Sequence, residues 1–181
     1  DAASTVIGLF TAGVNSSWFE ACSFGSNGTI EPEVGSIVWG GNNHVYRNCR
    51  FVDNTFGLVL RSNTDDFASH VEVMDCEFYE NTTADITTNA IAAAAATVAN
   101  SGGVVAGVDQ GVRNFRCVRN DFGVGEVTPT DFVNIVGASS GYMADNYFAS
   151  ATNASATITI PAGVLYAGNH TEAGEQTARP A

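Results

Sequence analysis

The sequence predicts an all-β coil of parallel strands. One phrase recurs at a fixed interval, its apolar residues fall two apart, and short polar turns separate the copies. The phrase is clearest at residues 45–54 (VYRNCRFVDN), with an earlier copy at 18–27 (WFEACSFGSN) and a later one at 72–81 (EVMDCEFYEN). Cys22, Cys49 and Cys76 are spaced by 27 residues, as are Phe24, Phe51 and Phe78, and Asn27, Asn54 and Asn81. A period of this length belongs to solenoids, propellers and arrays. Apolar positions two apart argue for strands, and no copy carries a helical i, i+3, i+4, i+7 stripe.

Taken in order, residues 4–10 (STVIGLF), bounded by Gly13 and Asn15, form a short strand, the second of a repeat whose first is missing. The first full copy continues into a strand at 35–39, closed by Gly40–Asn43. The second copy adds a strand at 57–60 and a loop at 62–66, and the third a strand at 84–88. Beyond it the register returns. Residues 117–122, 143–148 and 166–171 place Asn120, Asn146 and Asn169 in the Cys column, and Phe122, Phe148 and Thr171 in the Phe column. Phe19, Tyr46, Val73, Cys117, Met143 and Tyr166 form a further column three places earlier. Two more strands follow at 131–136 and 156–160. The column spacings after Cys76 are 44, 26 and 23, so the long gap holds a single insertion, residues 87–111. Residues 1–171 form one domain and 172–181 a C-terminal tail.

In a coil of parallel strands each residue sits about 4.8 Å from its counterpart one turn on. Phe24, Phe51, Phe78, Phe122 and Phe148 then form an aromatic ladder. Asn27, Asn54 and Asn81 form a turn ladder whose amides hydrogen-bond along the axis. About six coils would stand roughly 25–30 Å tall.

Composition narrows the function. The chain has 181 residues, 45% hydrophobic and 14% charged, enough for one domain with a sizeable core. Its net charge is −12 and all seven basic residues are Arg, which argues against nucleic acid or an anionic membrane as partner. The absence of Lys reads as a mark of a GC-rich or salt-adapted source. No apolar run reaches the length of a bilayer span, and no leader pattern opens the chain. Beginning at Asp1, it reads as processed or as a piece of something longer. Four cysteines do not make a disulfide framework, and no Cys/His spacing suggests zinc. The three column cysteines read as small buried hydrophobes. No cofactor or metal is expected.

The N-C-x-F-x-x-N phrase after an alternating strand resembles the repeat of right-handed parallel β-helix proteins of the pectate-lyase-like superfamily. The resemblance covers roughly residues 4–171 and is closest to tailspikes and other virion proteins of tailed viruses. It implies a right-handed, single-stranded parallel β-helix of about six coils with one Ala-rich insertion. The superfamily also includes polysaccharide lyases, glycoside hydrolases and autotransporter passengers, so the fold does not choose an activity.

Two acids are the sharpest catalytic candidates. Asp65, in Asn63-Thr64-Asp65, and the adjoining Asp66 resemble the Asn-Thr-Asp element of β-helix polygalacturonases, where carboxylates protonate the glycosidic oxygen and activate water. The Gly-His-Gly and Arg-x-Lys elements of that family are absent, and the segment reads first as a polar turn. Asp75, Glu77, Asp121 and Asp145 fall on neighbouring coils, as a calcium-dependent lyase would need. Arg119 between Asp75 and Asp145, and Arg50 beside Glu77, make opposite-charge pairing on adjacent strands the simpler reading. His44, His70 and His170 stand at different offsets and do not align as metal ligands.

The insertion holds Asn89–Asn100 (NAIAAAAATVAN), which reads as an N-cap, a run of good helix formers and a stop at Gly102-Gly103. Its apolar side needs a cover, either its own coil or a neighbouring subunit, with Ile91, Ala94 and Val98 as the partner-binding candidates. The expected function is a non-enzymatic structural or adhesive module at a virion surface or outside the cell, such as a tailspike, fibre or capsid-decorating domain. A carbohydrate-active domain and a secreted bacterial adhesin are the alternatives. The expected partners are other virion proteins or further coils of a longer chain, a surface glycan, and further copies of the chain itself, a trimer before other oligomers.

Overall fold

The computed structural model describes residues 7–25, 34–62, 67–88, 111–123, 125–137, 139–149, 157–172 and 174–176. Among them the protein is all-β, with strands numbered β1 to β20 in chain order. One sheet joins β1 (Ile7–Ala12), β4 (Val34–Trp39), β7 (Phe56–Arg61), β10 (Ala84–Thr87), β14 (Asp131–Asn134) and β17 (Thr157–Thr159) in that order. A second joins β2 (Asn15–Glu20), β5 (Asn42–Arg47), β8 (Ala68–Met74), β12 (Phe115–Val118), β15 (Gly141–Ala144) and β18 (Val164–Ala167), with β11 (Val112–Arg113) also against β8. The third joins β3 (Ser23–Gly25), β6 (Arg50–Val52), β9 (Glu77–Tyr79), β13 (Asp121–Phe122), β16 (Tyr147–Phe148) and β19 (Asn169–Thr171). It ends in β20 (Gly174–Gln176), which pairs antiparallel with β19 inside the segment expected to be a tail. All other pairings are parallel, and the chain visits the three sheets in rotation.

The register follows the sequence columns. Phe19 pairs with Tyr46, then Val73, Cys117, Met143 and Tyr166. Phe24 pairs with Phe51, Phe78, Phe122 and Phe148, and the row ends at Thr171. Ring centroids along this row lie 4.9, 4.7, 4.9 and 4.7 Å apart in stacked pairs. The rings belong to one apolar cluster that also takes Leu58 and Ile86 from the first sheet and Tyr46 and Met143 from the second. A smaller cluster of Val34, Ile37, Trp39 and Val59 is separate from it. In β4, Ile37 and Trp39 alternate with Ser36 and Val38, so they stand on the opposite face of that strand.

The corner between the second and third sheets is tight. Ala21, Asn48, Asp75, Arg119, Asp145 and Gly168 all have φ between 50 and 63°. A non-glycine residue there costs roughly 1–2 kcal/mol, so the hydrogen bonds around the corner must hold it. They do so from both sides. Asp75 N–H donates to the Val118 carbonyl on the next row (3.2 Å), and Asp121 N–H donates back to Cys76 (2.9 Å). Between them the column residue faces the core. Asn120 Nδ2 donates to Asn146 Oδ1 (2.9 Å), and Asn146 Nδ2 to Asn169 Oδ1 (2.8 Å). The same oxygens accept the backbone N–H of Asn120 (3.0 Å) and of Asn146 (3.1 Å). Each amide also donates to a carbonyl one row back, Val73, Cys117 or Met143.

The cysteines occupy the same position with a weaker donor. Cys49 Sγ points to the Phe19 carbonyl (3.4 Å) and Cys76 Sγ to that of Tyr46 (3.5 Å), the contacts an asparagine would make. All four cysteines are free thiols. Cys49 and Cys76 are buried as expected, and Cys117, in the Tyr46 column, is buried too, but Cys22 is only half-buried, because among the described residues β2 and β3 end their sheets with no row before them.

At the turn after the third sheet, Asn54 Nδ2 donates to Asn81 Oδ1 (2.9 Å), and Asn81 Nδ2 donates to Asp85 Oδ1 (2.8 Å). Asn27 lies outside the described residues. Asp85 is fully buried, and among the described residues its Oδ2 has no hydrogen-bond partner. Burial pushes its carboxyl well above the usual range, against the bond from Asn81.

Truncating Phe51, which is 0% exposed between two stacked rings, should cost about 3–5 kcal/mol. Urea unfolding of Phe51→Ala measures it, and a loss below about 1 kcal/mol would mean that the ring column is not core. Asp85 gives a pH-dependent prediction. Its folded carboxyl binds a proton more tightly than the unfolded one, so stability is highest below the ordinary carboxyl range and falls as pH rises through the raised folded value. Asp85→Asn removes that loss, so the variant should gain on the wild type between acidic and neutral pH. A difference constant with pH would refute it.

Candidate functional site

Strand alternation sends every second residue of the second sheet away from the core. One outward row, read through the register, is Trp18, Val45, Glu72, Arg116, Tyr142 and Leu165. Its two ends are the most exposed large apolar side chains of the described residues, Trp18 at 58% and Leu165 at 70%. The middle is polar. Arg116 Nη1 reaches Glu72 Oε1 (2.9 Å), Arg116 Nε donates to the Tyr142 hydroxyl (2.7 Å), and the guanidinium lies 5.3 Å from the Tyr142 ring centre. Desolvation works against the Arg116 charge, but the bonds to Tyr142 and Glu72 outweigh it and hold the group more firmly cationic.

Beside that row runs a second line of left-handed corners, Ser16, Asn43, His70 and Asn114, with φ of 70, 60, 50 and 52°. His70 Nδ1 meets Asn42 Oδ1 (2.7 Å), and Asn114 Nδ2 meets His70 Nε2 (3.2 Å). An amide oxygen only accepts, so Nδ1 donates to Asn42, and Nε2 faces the Asn114 amide. Between the two lines opens a cavity of about 220 Å³, lined by His70, Glu72, Asn114, Arg116 and Tyr142, with Phe115 and Gly141. Gly141 has no substitute there, since a Cβ would run into the Phe115 carbonyl.

The acids named from the sequence do not converge. Asp75 and Arg119 form a two-pronged pair (2.7 and 2.8 Å), and Arg119 feels Asp145 only through space. Arg119 thus stands on the row between the two carboxylates, hydrogen-bonded to Asp75 and attracted to Asp145 through space. Glu77 bonds Arg50 (2.6 Å). Asp121, its register neighbour, is pushed up by desolvation and by the Glu77 charge. His44 is buried with Nδ1 against Ser17 Oγ (2.6 Å), while His70 lies on the outer surface. No group of three or more His, Cys, Asp or Glu that could hold a metal occurs among the described residues. Nor, among them, is any helix long and apolar enough to cross a membrane. Cys76 is pushed up by its hydrogen bond with Cys49 and by burial, and Cys117 by burial, so neither is a ready nucleophile.

Asp65 and Asp66 lie outside the described residues, as do Ile91, Ala94 and Val98 with nearly all of the insertion. Sequence reasoning missed the cavity. Its residues come from three repeats, and Glu72, Arg116 and Tyr142 stand four places before Cys76, Asn120 and Asn146, so the 44- and 26-residue steps were the signal that could have brought them together. No family model, curated protein or solved structure matches the chain significantly.

The Asp75–Arg119 pair gives a check on the structural role of these charges. Its hydrogen bond to Arg119 holds the Asp75 carboxyl below the usual range. Its contribution is therefore present above the unfolded value and lost as pH falls through the folded one. Both side chains are largely solvated, so Asp75→Asn should shift the thermal midpoint only slightly near neutrality, and the shift should close on acidification. A large loss at neutral pH that high salt does not reduce would contradict this.

Proposed function

We propose that this chain is a non-enzymatic, adhesive structural module, built as a right-handed, single-stranded parallel β-helix of about six coils and used at a virion surface. The three sheets would be the walls of the coil. That reading is supported by the rotation of consecutive strands through the sheets and by the one apolar cluster they share. The observation that carries it is the unbroken stack of five phenylalanines, with the asparagine ladder alongside. Such columns make a stiff element that can present a fixed outer face. The virion setting rests on the resemblance of the repeat phrase to tailspike repeats. The outer row from Trp18 to Leu165 is the face we assign to contact, with a surface glycan as partner.

Other virion proteins or further coils would dock on the open strand edges, and copies of the chain would pack as a trimer. Ile91, Ala94 and Val98 remain the proposed contacts between copies. The alternative, a polysaccharide lyase or glycoside hydrolase, rests on Asp65 and Asp66.

Incubation with acidic and neutral polysaccharides, read by new reducing ends and unsaturated products, separates the two. We expect no turnover, with retention of the protein on a glycan array and a solution mass three times that of the chain. Cleavage that disappears in Asp65→Asn or Asp66→Asn would replace this reading with the enzymatic one.

A further inference from the structure

The geometry points to the cavity between His70, Asn114 and Tyr142 as the seat of a single uncharged pyranose ring at the end of a glycan, an assignment that rests on the adhesive reading above. Charge argues first. Arg116 and Glu72 neutralise one another at 2.9 Å, so the cavity holds no unpaired Arg or carboxylate for an ionic ligand. A uronate or sulfated sugar would also approach a chain of net charge −12 without a surplus cation to receive it.

The remaining hydrogen-bond capacity fits hydroxyl groups. Tyr142 accepts from Arg116 Nε, which leaves its own O–H to donate. Among the described residues nothing bonds Glu72 Oε2 or Asn114 Oδ1, and both accept. Donors and acceptors thus lie within one small site, the mixture that a ring of hydroxyls, each both donor and acceptor, satisfies. The Tyr142 ring supplies an apolar wall for the C–H face of the sugar. At about 220 Å³ the cavity is below the roughly 300–1,000 Å³ of sites for larger ligands, so it takes one ring and not a chain.

The site is also pre-formed. Glu72 is held by Arg116, Arg116 by Tyr142, and His70 by Asn42 and Asn114, so little side-chain freedom is left to lose on binding. A single ring should still bind weakly, with Kd on the order of 1 mM. An oligomer would multiply such contacts.

The test uses the intact protein and the methyl pyranosides of glucose, galactose, mannose and galacturonic acid, with binding read by saturation-transfer NMR. At least one neutral glycoside should bind, and the galacturonoside should bind less well. Tyr142→Ala and Asn114→Ala should each weaken the neutral sugar about three- to tenfold. Tyr147→Ala, on the third sheet, should leave it unchanged. If Tyr142→Ala disturbs the fold by circular dichroism, Asn114→Ala and Tyr142→Phe carry the comparison. Tighter binding of the galacturonoside, or equal binding by the Asn114 and Tyr142 variants and the wild type, would overturn the assignment. So would the absence of binding to all three neutral glycosides. A positive glycan array beside any of these results would leave the adhesive reading standing and remove only the cavity. A blank array would remove both.

Discussion

In-register parallel pairing is the constraint on which the rest of this structure depends. Each residue meets its own counterpart from the next repeat, so whatever the sequence puts in a column must tolerate itself as a neighbour about 4.8 Å away. Phenylalanine does so by stacking, with centroids 4.7–4.9 Å apart. Asparagine does so because its amide is both donor and acceptor, and an inward row of them hydrogen-bonds to itself. A column of buried like charges could not. Charged columns are accordingly turned outward, where opposite charges meet at Arg50 with Glu77 and at Glu72 with Arg116, and where the like charges of Glu77 and Asp121 are screened by solvent.

The same constraint explains the change from cysteine to asparagine along one column. The left-handed corner turns the chain sharply, and the residue after it faces the core beside a backbone N–H and a carbonyl from adjacent rows. Asparagine serves both. Cysteine reaches only the carbonyl, through a weak S–H donor, and fills the remaining space as an apolar group. Leaving a buried donor or acceptor unserved costs about 1–3 kcal/mol, so the asparagines specify the corner more strongly than the thiols do. Asp85 is the exception. It ends the Asn54–Asn81 ladder with a carboxyl where Gly35 and Gly57 stand in the two preceding strands, and one of its oxygens has no partner among the described residues.

Much of the fold was legible because the columns are periodic. The spacing of 27, with the later steps of 44, 26 and 23, identified the Phe ladder and every register pair of the Tyr46 column, and it placed strands near their observed bounds. The corners were harder to see. Asn48, Asp75, Asp145 and Gly168 are residues that tolerate positive φ, but Ala21 and Arg119 are not, and they hide the pattern. The burial of Asp85 had no signal, since aspartate after a turn reads as solvent-facing. The cavity was missed for a different reason: Glu72, Arg116 and Tyr142 share a column, but an acid, a base and a phenol carry no repeated signature to draw the eye to it. The Asp65 and Ile91 regions, which the sequence singled out, fall outside the described residues, so the two strongest sequence candidates and the cavity at Tyr142 are different places.

A double-mutant cycle on Asn120 and Asn146 tests the central claim, that column residues are held by one another. Asn146 Oδ1 accepts both the backbone and the side-chain N–H of Asn120, so each alanine substitution breaks a bond that the other residue also needs. Unfolding free energies of the two single variants and the double variant, from urea titration, give the coupling. The account requires the double variant to lose less than the sum of the singles by about 0.5–3 kcal/mol. Losses that add within about 0.3–0.5 kcal/mol would show the two side chains to be independent, and the ladder would not be what holds the corner.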